Sequence, residues 1–452
     1  MHDAPTPPDV ADVLARGAVV THFHAIASVR RRRLVAVEAL SRGVAADGTL
    51  IPPLALFAAA AAQGLSVELD RHCRAAALAR FAEVRAATPG LVCFVNLHAA
   101  SVARGAAVVE EIVREAAAHG FEPGALAVEI PESHIEEVDA LAEVVGALRA
   151  HGILVALDDI GAGHANLDRV VAVRPDIMKA DRTLVTDLDR DAVRREVFTA
   201  LVRLSERIGG WVVAEGIERR DEAIVALATG ADLMQGFYFG RPAPGTATSV
   251  AGGWEERRVH EVAAAFATHT SASTRAARAA GARRAAITRL IADHLAGHPA
   301  AALDAGVRAI AAAAPPHPAL VSLAVCDAGS GRQTTELAWL APRLLPAKSL
   351  LYAAPERHAD HSAKEWFYLL GAAGVDPYES PPYVPLPSAE LCVTVSTRFH
   401  TSDGAACVLC AHFRLEDLVA VATEAPRADA PPVPPPRDPG ASARSAAAER
   451  RA

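Results

Sequence analysis

The chain has 452 residues, too many for one ordinary core, so two domains with connecting segments are expected. Apolar residues make up 51% and charged residues 22%, a globular rather than a disordered composition. The net charge of −8, from 45 basic and 53 acidic residues, argues against polymeric nucleic acid as a partner.

Residues 1–10 read as a loose, proline-rich leader without the features of a signal peptide. No stretch approaches the roughly 20 apolar residues that a membrane span needs, so a cytoplasmic protein is expected. From residue 11 to 247, short apolar runs alternate with alanine-rich helical stretches: Leu54–Gly64, Asp70–Ala87, Ala106–His119, Glu136–His151 and Asp191–Ile208. That alternation is the signature of a parallel α/β fold. Seven runs end in a carboxylate, an amide or a lysine: Val35–Glu38, Val92–Asn96, Leu126–Glu129, Leu154–Asp159, Ile177–Asp181, Val212–Glu215 and Leu233–Gln235. Strand ends of this kind are where α/β barrels carry active sites. Acids crowded at one barrel mouth repel one another unless cations sit among them, so the pattern points to divalent metal. The four arginines Arg30–Arg33 read as a hairpin tip carrying solvated charge. His22 and His24 would share one strand face, with His24 the candidate substrate contact.

Residues 248–316 form a long polar-to-alanine stretch expected to be one or two linking helices, ended by Pro315 and Pro316. Residues 317–424 change to strand-like runs (Leu320–Cys326, Leu391–Thr397, Ala405–Phe413) with clustered aromatics, a small α+β domain. Cys407 and Cys410 form a CxxC inside one of these runs. Side chains three apart on a strand face opposite ways, which argues against a shared zinc. Residues 425–452 have the Pro, Ala and Arg content of a disordered tail.

The motifs of the first half resemble the EAL-domain family of cyclic-di-GMP phosphodiesterases. Glu38-Ala39-Leu40 is similar to the family's name motif and is followed by Ser41-Arg42. Asn96 stands in Val-Asn-Leu, and Glu129 to Glu132 match ExTE. Asp158 to Gly163 match the DDFGTG loop, Lys179 to Asp181 match KxD, Ala214 to Glu218 match AEGVE, and Gln235-Gly236 match QG. The resemblance implies a TIM-like (β/α)8 barrel over residues 11–247. It implies two Mg²⁺ or Mn²⁺ ions among Glu38, Asn96, Glu129, Asp158, Asp159, Asp181 and Glu215, hard oxygen ligands of the kind these ions prefer. Water would attack one phosphorus of cyclic-di-GMP in line and release linear pGpG. Glu38, Lys179 and Glu215 would be catalytic, with Lys179 positioning water or a phosphoryl oxygen and Glu215 accepting a proton. His24, Arg42 and Gln235 would contact substrate, Arg42 by pairing with phosphate. Glu132, Gly161, Gly163 and Glu218 would stabilise the loop coupled to metal binding and dimerisation, and a homodimer is implied.

Several positions depart from the family pattern. His24 stands where a glutamine is usual, Gly43 replaces a bulky aromatic after Arg42, and Pro131 replaces a threonine between Glu129 and Glu132. Ile160 and His164 replace aromatics in the glycine-rich loop. None removes a metal ligand, but each touches substrate handling or loop coupling. Two readings therefore stand: a phosphodiesterase, or a cyclic-di-GMP receptor or scaffold with little turnover. In the second half, His361 to Tyr368, then Pro377 to Tyr383, then Leu391 to Ser396 look like the core of a Cache or PAS-like sensory domain. That likeness implies a regulatory domain with an unidentified small ligand; Trp366, Phe367, Tyr378 and Tyr383 also suit plain core packing.

Overall fold

The structure, a computed structural model, describes residues 7–131, 138–162, 167–313, 317–340, 357–372, 374–384 and 391–415. The chain divides into two compact units, residues 1–272 and 273–452.

In the first unit, β1 (Val19–Ser28) and β2 (Arg33–Val44) form a hairpin whose tip lies at residues 29–32, as the arginine run implied. The Arg31 guanidinium lies 5.1 Å from the centroid of the Trp211 ring. A short β3 (Leu50–Ile51) pairs with the end of β2. Then follow β4 (Val92–Asn96), β5 (Leu126–Pro131), β6 (Leu154–Ile160), β7 (Ile177–Ala180), β8 (Trp211–Ala214), β9 (Leu233–Met234) and β10 (Ala243–Pro244). Pairing runs β1-β2-β4-β5-β6-β7-β8-β9 and closes from β9 back to β1, an eight-stranded barrel. The parallel pattern expected from the α/β alternation holds for most strands but not for the first. Strands β2 and β4 to β9 are mutually parallel, but β1 is antiparallel to both neighbours. The reason is the connection: a four-residue turn can join only antiparallel strands, whereas a parallel pair needs a crossover of about a dozen residues. A second correction follows, since Glu38 sits in mid-strand and β2 runs on to Val44.

Helices α1 (Val10–Ala15), α2 (Pro53–Gln63), α3 (Ser66–Ala87), α4 (Ala99–Val102), α5 (Ala106–Ala118), α6 (Val138–Ala150), α7 (Leu167–Val173), α8 (Arg182–Val185), α9 (Ala192–Ile208), α10 (Arg220–Thr229) and α11 (Ala247–Gly252) surround the barrel. The barrel lumen is filled by a cluster to which every strand contributes: Ile26, Ala36 with its neighbour Val35, Phe94, Ala127, Ala156, Ile177, Val213 and Leu233. This layer sets the geometry of everything above it, because side chains alternate faces along a strand.

In the second unit, the later turns of α12 (Glu256–Ala296) and α13 (Leu303–Ala312) cover one face of a five-stranded antiparallel sheet. Its strands are β11 (Leu320–Asp327), β12 (Ala338–Trp339), β13 (Tyr378–Glu379), β14 (Cys392–His400) and β15 (Ala406–Arg414), in the order β12-β11-β15-β14-β13. Helix α14 (Glu365–Ala372) packs on the other face through Trp366 and Leu370. Cys407 belongs to the first of these cores and Cys410 to the second, on opposite faces of β15. No helix among the described residues is long and apolar enough to cross a membrane.

Candidate active site

Counting two residues along each strand from the lumen layer, toward the mouth, gives Glu38, Asn96, Glu129, Asp158, Lys179, Glu215 and Gln235. On the antiparallel strand β1 the count runs backwards from Ile26 and gives His24, which pairs directly with Glu38. Eight polar residues thus form one layer because the strand period of two places them all inward, one step above an apolar plug.

Lys179 is the centre of that layer, with its side chain only 1% exposed. Its Nζ lies 2.6 Å from Glu129 Oε1, 2.8 Å from Asp158 Oδ1, 2.8 Å from Glu215 Oε1 and 3.4 Å from Glu38 Oε1. Gln235 donates from Nε2 to Glu38 Oε2 at 2.7 Å, and Asn96 donates from Nδ2 to Glu129 Oε2 at 2.8 Å. The two amides therefore fix the outer oxygens of two acids while their inner oxygens face the ammonium.

One cation against four carboxylates leaves excess negative charge. Burial, then Glu38, hold the Glu129 carboxyl well above its ordinary range. Burial pushes Glu215 up to about 8, against the pull of Lys179 and with Asp158 adding to the rise. Burial and the Asp158 charge push Asp159 up to about 6. Burial also opposes the ionised form of Glu38, but Lys179 and Gln235 outweigh it and its pKa falls. Lys179 pays a burial penalty that Asp158, Glu129, Glu215 and Glu38 more than reverse, so its pKa stands well above the usual ammonium value.

The donor set fits a divalent ion. Glu38, Glu129 and Asp158 each bring one oxygen within 4.8 Å of the others, and so do Asp158, Asp159 and Glu215. Asp158 is common to both groups. Glu129 Oε1, Asp158 Oδ1 and Glu215 Oε1 are buried and converge on Nζ, with no other donor to them among the described residues. Carboxylate oxygens gathered about one point in this way suit a hard divalent cation.

The remaining expected residues are placed as follows. Asp181 caps α8, accepting from Thr183 N at 2.8 Å, and stands outside both convergent groups. Arg42 shares the face of Glu38 four residues along β2; it is half-buried, donates to Ser41 O at 3.0 Å and has no carboxylate partner among the described residues. His24 donates from Nε2 to Gly240 O at 3.1 Å, so that nitrogen is already committed to the backbone. Glu218 is exposed and lies 4.0 Å from Arg182, away from the acidic layer. Gly161 has φ +98°, and a side chain there would run into Leu184. The preceding Asp159 holds φ +57°, uncommon for a residue with a Cβ. Glu132 and Gly163 lie outside the described residues.

The motif reading missed a buried network beside the site. A cavity of about 460 Å³ extends from Glu38 and Asn96 past Phe57 and His98 to Asp70 and Arg74. Asp70 pairs with Arg74 and accepts from His98 N at 3.2 Å and Ser101 Oγ at 2.5 Å, all on α3 and its neighbours. Arg74 keeps Nε and Nη2 without hydrogen-bond partners among the described residues. A signal existed: Asp70 and Arg74 fall in the same helical stripe as Leu69, Cys73, Ala77 and Leu78, where charge is out of place. A further acidic trio, Asp187, Asp189 and Glu222, is held by the guanidinium of Arg219 and needs no other cation.

Comparison with known proteins places this geometry. A cyclic di-GMP phosphodiesterase of Escherichia coli, PdeR, is 30% identical over 220 residues, 48% of this chain and 33% of that protein. An uncharacterized protein of Azorhizobium caulinodans is 31% identical over 242 residues, 52% of this chain and 33% of that one. The chain thus spans about a third of the length of these curated relatives. The Bacillus subtilis YkuI protein, solved with an EAL domain in complex with the substrate c-di-GMP and calcium, superposes with a TM-score of 0.70. It covers 90% of this chain and 100% of its own at 21% identity, so the shared fold reaches well beyond the barrel. The EAL domain family model matches residues 9–242, just over half of the chain. Through that segment, the chain belongs to the EAL-domain family of cyclic-di-GMP phosphodiesterases.

Proposed function

We propose that the chain hydrolyses cyclic-di-GMP to linear pGpG with Mg²⁺ or Mn²⁺. The observation that carries this reading is the convergence of Glu38, Glu129, Asp158 and Glu215 within 3.4 Å of Lys179 Nζ, above an apolar plug. Glu38, Asn96, Glu129, Asp158, Asp159 and Glu215 would hold two ions, with Asp181 at the edge through its uncapped oxygen. Bound there, such ions supply Lewis acidity and lower the pKa of water. The chain's own groups do the rest. Glu215, at the mouth side of the layer beside Lys179, is the group placed to accept a proton once it is ionised. Lys179 holds a phosphoryl oxygen, Arg42 pairs with phosphate, and Gln235 keeps Glu38 turned inward. The second unit would act as a Cache or PAS-like regulator in a cytoplasmic homodimer, and Glu132, Gly163 and Glu218 would belong to the loop that couples the two functions.

One observation favours a second reading, a receptor with little turnover. His24 stands beside Glu38 with Nε2 given to the Gly240 carbonyl, leaving less for substrate than a free amide would offer. The assay that separates them incubates purified full-length protein with cyclic-di-GMP and Mg²⁺ or Mn²⁺, following pGpG by chromatography beside a binding measurement. Product formation supports hydrolysis, binding without product supports the receptor, and neither result would reject both.

A further inference from the structure

We propose that the second unit contains a binding site for a small aromatic carboxylate that also carries a hydroxyl or N–H donor. It deepens the regulatory reading above, but binding here does not depend on turnover in the barrel.

The site is a cavity of about 410 Å³ between the β11–β15–β14 sheet and helix α14, within the size range of small-molecule pockets. Its walls include the Trp366 indole, Pro382 and the buried thiols of Cys326 and Cys410. Trp366 is 8% exposed, and the ring of His361 stands 5.2 Å from it. Such walls take a flat apolar body.

The polar groups are few, and their hydrogen-bonding states can be worked out. Gln333 Nε2 donates to the Thr335 carbonyl at 2.8 Å, which can only accept, so the amide oxygen must face His361. His361 Nε2 then donates to that oxygen at 3.0 Å and carries the ring's proton. Its Nδ1 is left as a lone pair, buried and without a partner among the described residues. Burial and the nearby Lys364 charge lower the His361 pKa and keep the ring neutral. A lone pair on the wall of a small cavity calls for a donor on whatever fills it.

Across the cavity, His412 Nδ1 lies 2.8 Å from Thr394 Oγ1 and 3.1 Å from Tyr383 Oη, and the two hydroxyls are 2.6 Å apart. The trio carries one more proton than its internal bonds use: with Tyr383 donating to Thr394 and Thr394 to Nδ1 the spare proton is on His412 Nε2, and with Nδ1–H donating to Thr394 and Thr394 to Tyr383 it is on the Tyr383 hydroxyl. At the rim, the exposed Lys364 has no carboxylate partner among the described residues. The neighbouring Glu365 is engaged by the Tyr378 hydroxyl. The Lys364 ammonium and the trio's spare N–H or O–H, from His412 or Tyr383 on the cavity wall, select a carboxylate, and the lone pair of His361 selects a donor elsewhere on the same ligand.

The test is isothermal titration calorimetry of the full chain with 4-hydroxyphenylacetate, 4-hydroxybenzoate and indole-3-acetate. The uncharged 2-(4-hydroxyphenyl)ethanol serves as the matched neutral compound. At least one acid should bind saturably with one site per chain, and the neutral compound should bind about tenfold or more weakly. Lys364→Gln, an exposed position, should weaken the acid by about tenfold. Glu38→Gln in the barrel should leave that binding unchanged, so failure here and failure of the phosphodiesterase reading are read separately. No heat from any of the three acids at millimolar concentration overturns the proposal. So does equal binding of the neutral compound, or an affinity that Lys364→Gln does not alter.

Discussion

Replacing Lys179 with methionine removes the one cation from a buried ring of four acids while keeping most of the side-chain volume. At an effective dielectric near 20, each carboxylate at 2.6–3.4 Å contributes about 5–6 kcal/mol of gross attraction to the ammonium. Most of that is offset by desolvation and by repulsion among the acids, and removing one partner of a buried ion pair costs about 3–5 kcal/mol net. For a barrel of this size roughly 2–4 °C of melting temperature go with each kcal/mol, so Lys179→Met in EDTA should melt about 10 °C below the wild type. A divalent ion then has more to offer the variant than the parent, since the parent's charge is already partly neutralised. At a thousand times its dissociation constant an ion returns about 4 kcal/mol, close to the whole deficit. Differential scanning calorimetry with and without 5–10 mM Mg²⁺ (roughly that excess for a site with a dissociation constant of about 5–10 µM) measures both quantities. Lys179→Met melting within about 2 °C of the wild type in EDTA, or gaining no more from Mg²⁺ than the wild type gains, would refute the counterion argument.

Gln235→Leu leaves Glu38 Oε2 buried without its donor and should lower kcat/KM for cyclic-di-GMP by about tenfold to a hundredfold, read as pGpG release. Arg74→Met strands Asp70 and should cost about 3–5 kcal/mol in urea unfolding, while Asp70→Asn combined with Arg74→Met recovers part of it; a strictly additive pair would show that the two do not act together. Gly161→Ala meets both the positive φ and the Leu184 side chain and should destabilise the protein by about 1–3 kcal/mol, with weaker Mg²⁺ binding by calorimetry. In the second unit, burial lowers the His412 pKa to about 4 from the ordinary 6.5. The unfolded chain therefore takes up a proton that the folded chain refuses. The stability held above about pH 6.5 should fall progressively toward pH 4 by about 3 kcal/mol, and His412→Gln should flatten the change when unfolding is followed by fluorescence.

How far the sequence discloses the barrel depends on which signals are local. Continuous apolar runs and alanine-rich helices are local, and the helices expected at 54–64, 106–119 and 191–208 match α2, α5 and α9 within two residues at each end. The antiparallel entry of β1 was also written locally, since the hairpin tip read at Arg30–Arg33 joins β1 to β2 through a turn only four residues long at 29–32. The Asp70–Arg74 network was legible as two charges in an apolar helical stripe, and it was missed because motif order draws attention to strand ends and away from helices.

The acidic layer is a different case. Each member could be named from its place after an apolar run, yet nothing in the runs says that four of the acids would converge on Lys179. That follows only from register: every strand offers a lumen residue, and the polar residue lies two positions beyond it on seven strands and two positions before it on the reversed β1. The same arithmetic separates Asp181 and Glu218 from the layer. Asp181 stands two positions past Lys179, beyond the end of β7, and its carboxylate caps α8. Glu218 lies three past Glu215 in the connection to α10, where it is exposed. A motif groups residues by sequence order and puts Asp181 in one ligand set with Glu215, whereas the strand period weighs them by height above the plug. Height decides which oxygens can converge, and it assigns Glu38, Glu129, Asp158 and Glu215 to the ring about Lys179 and Asp181 to its edge.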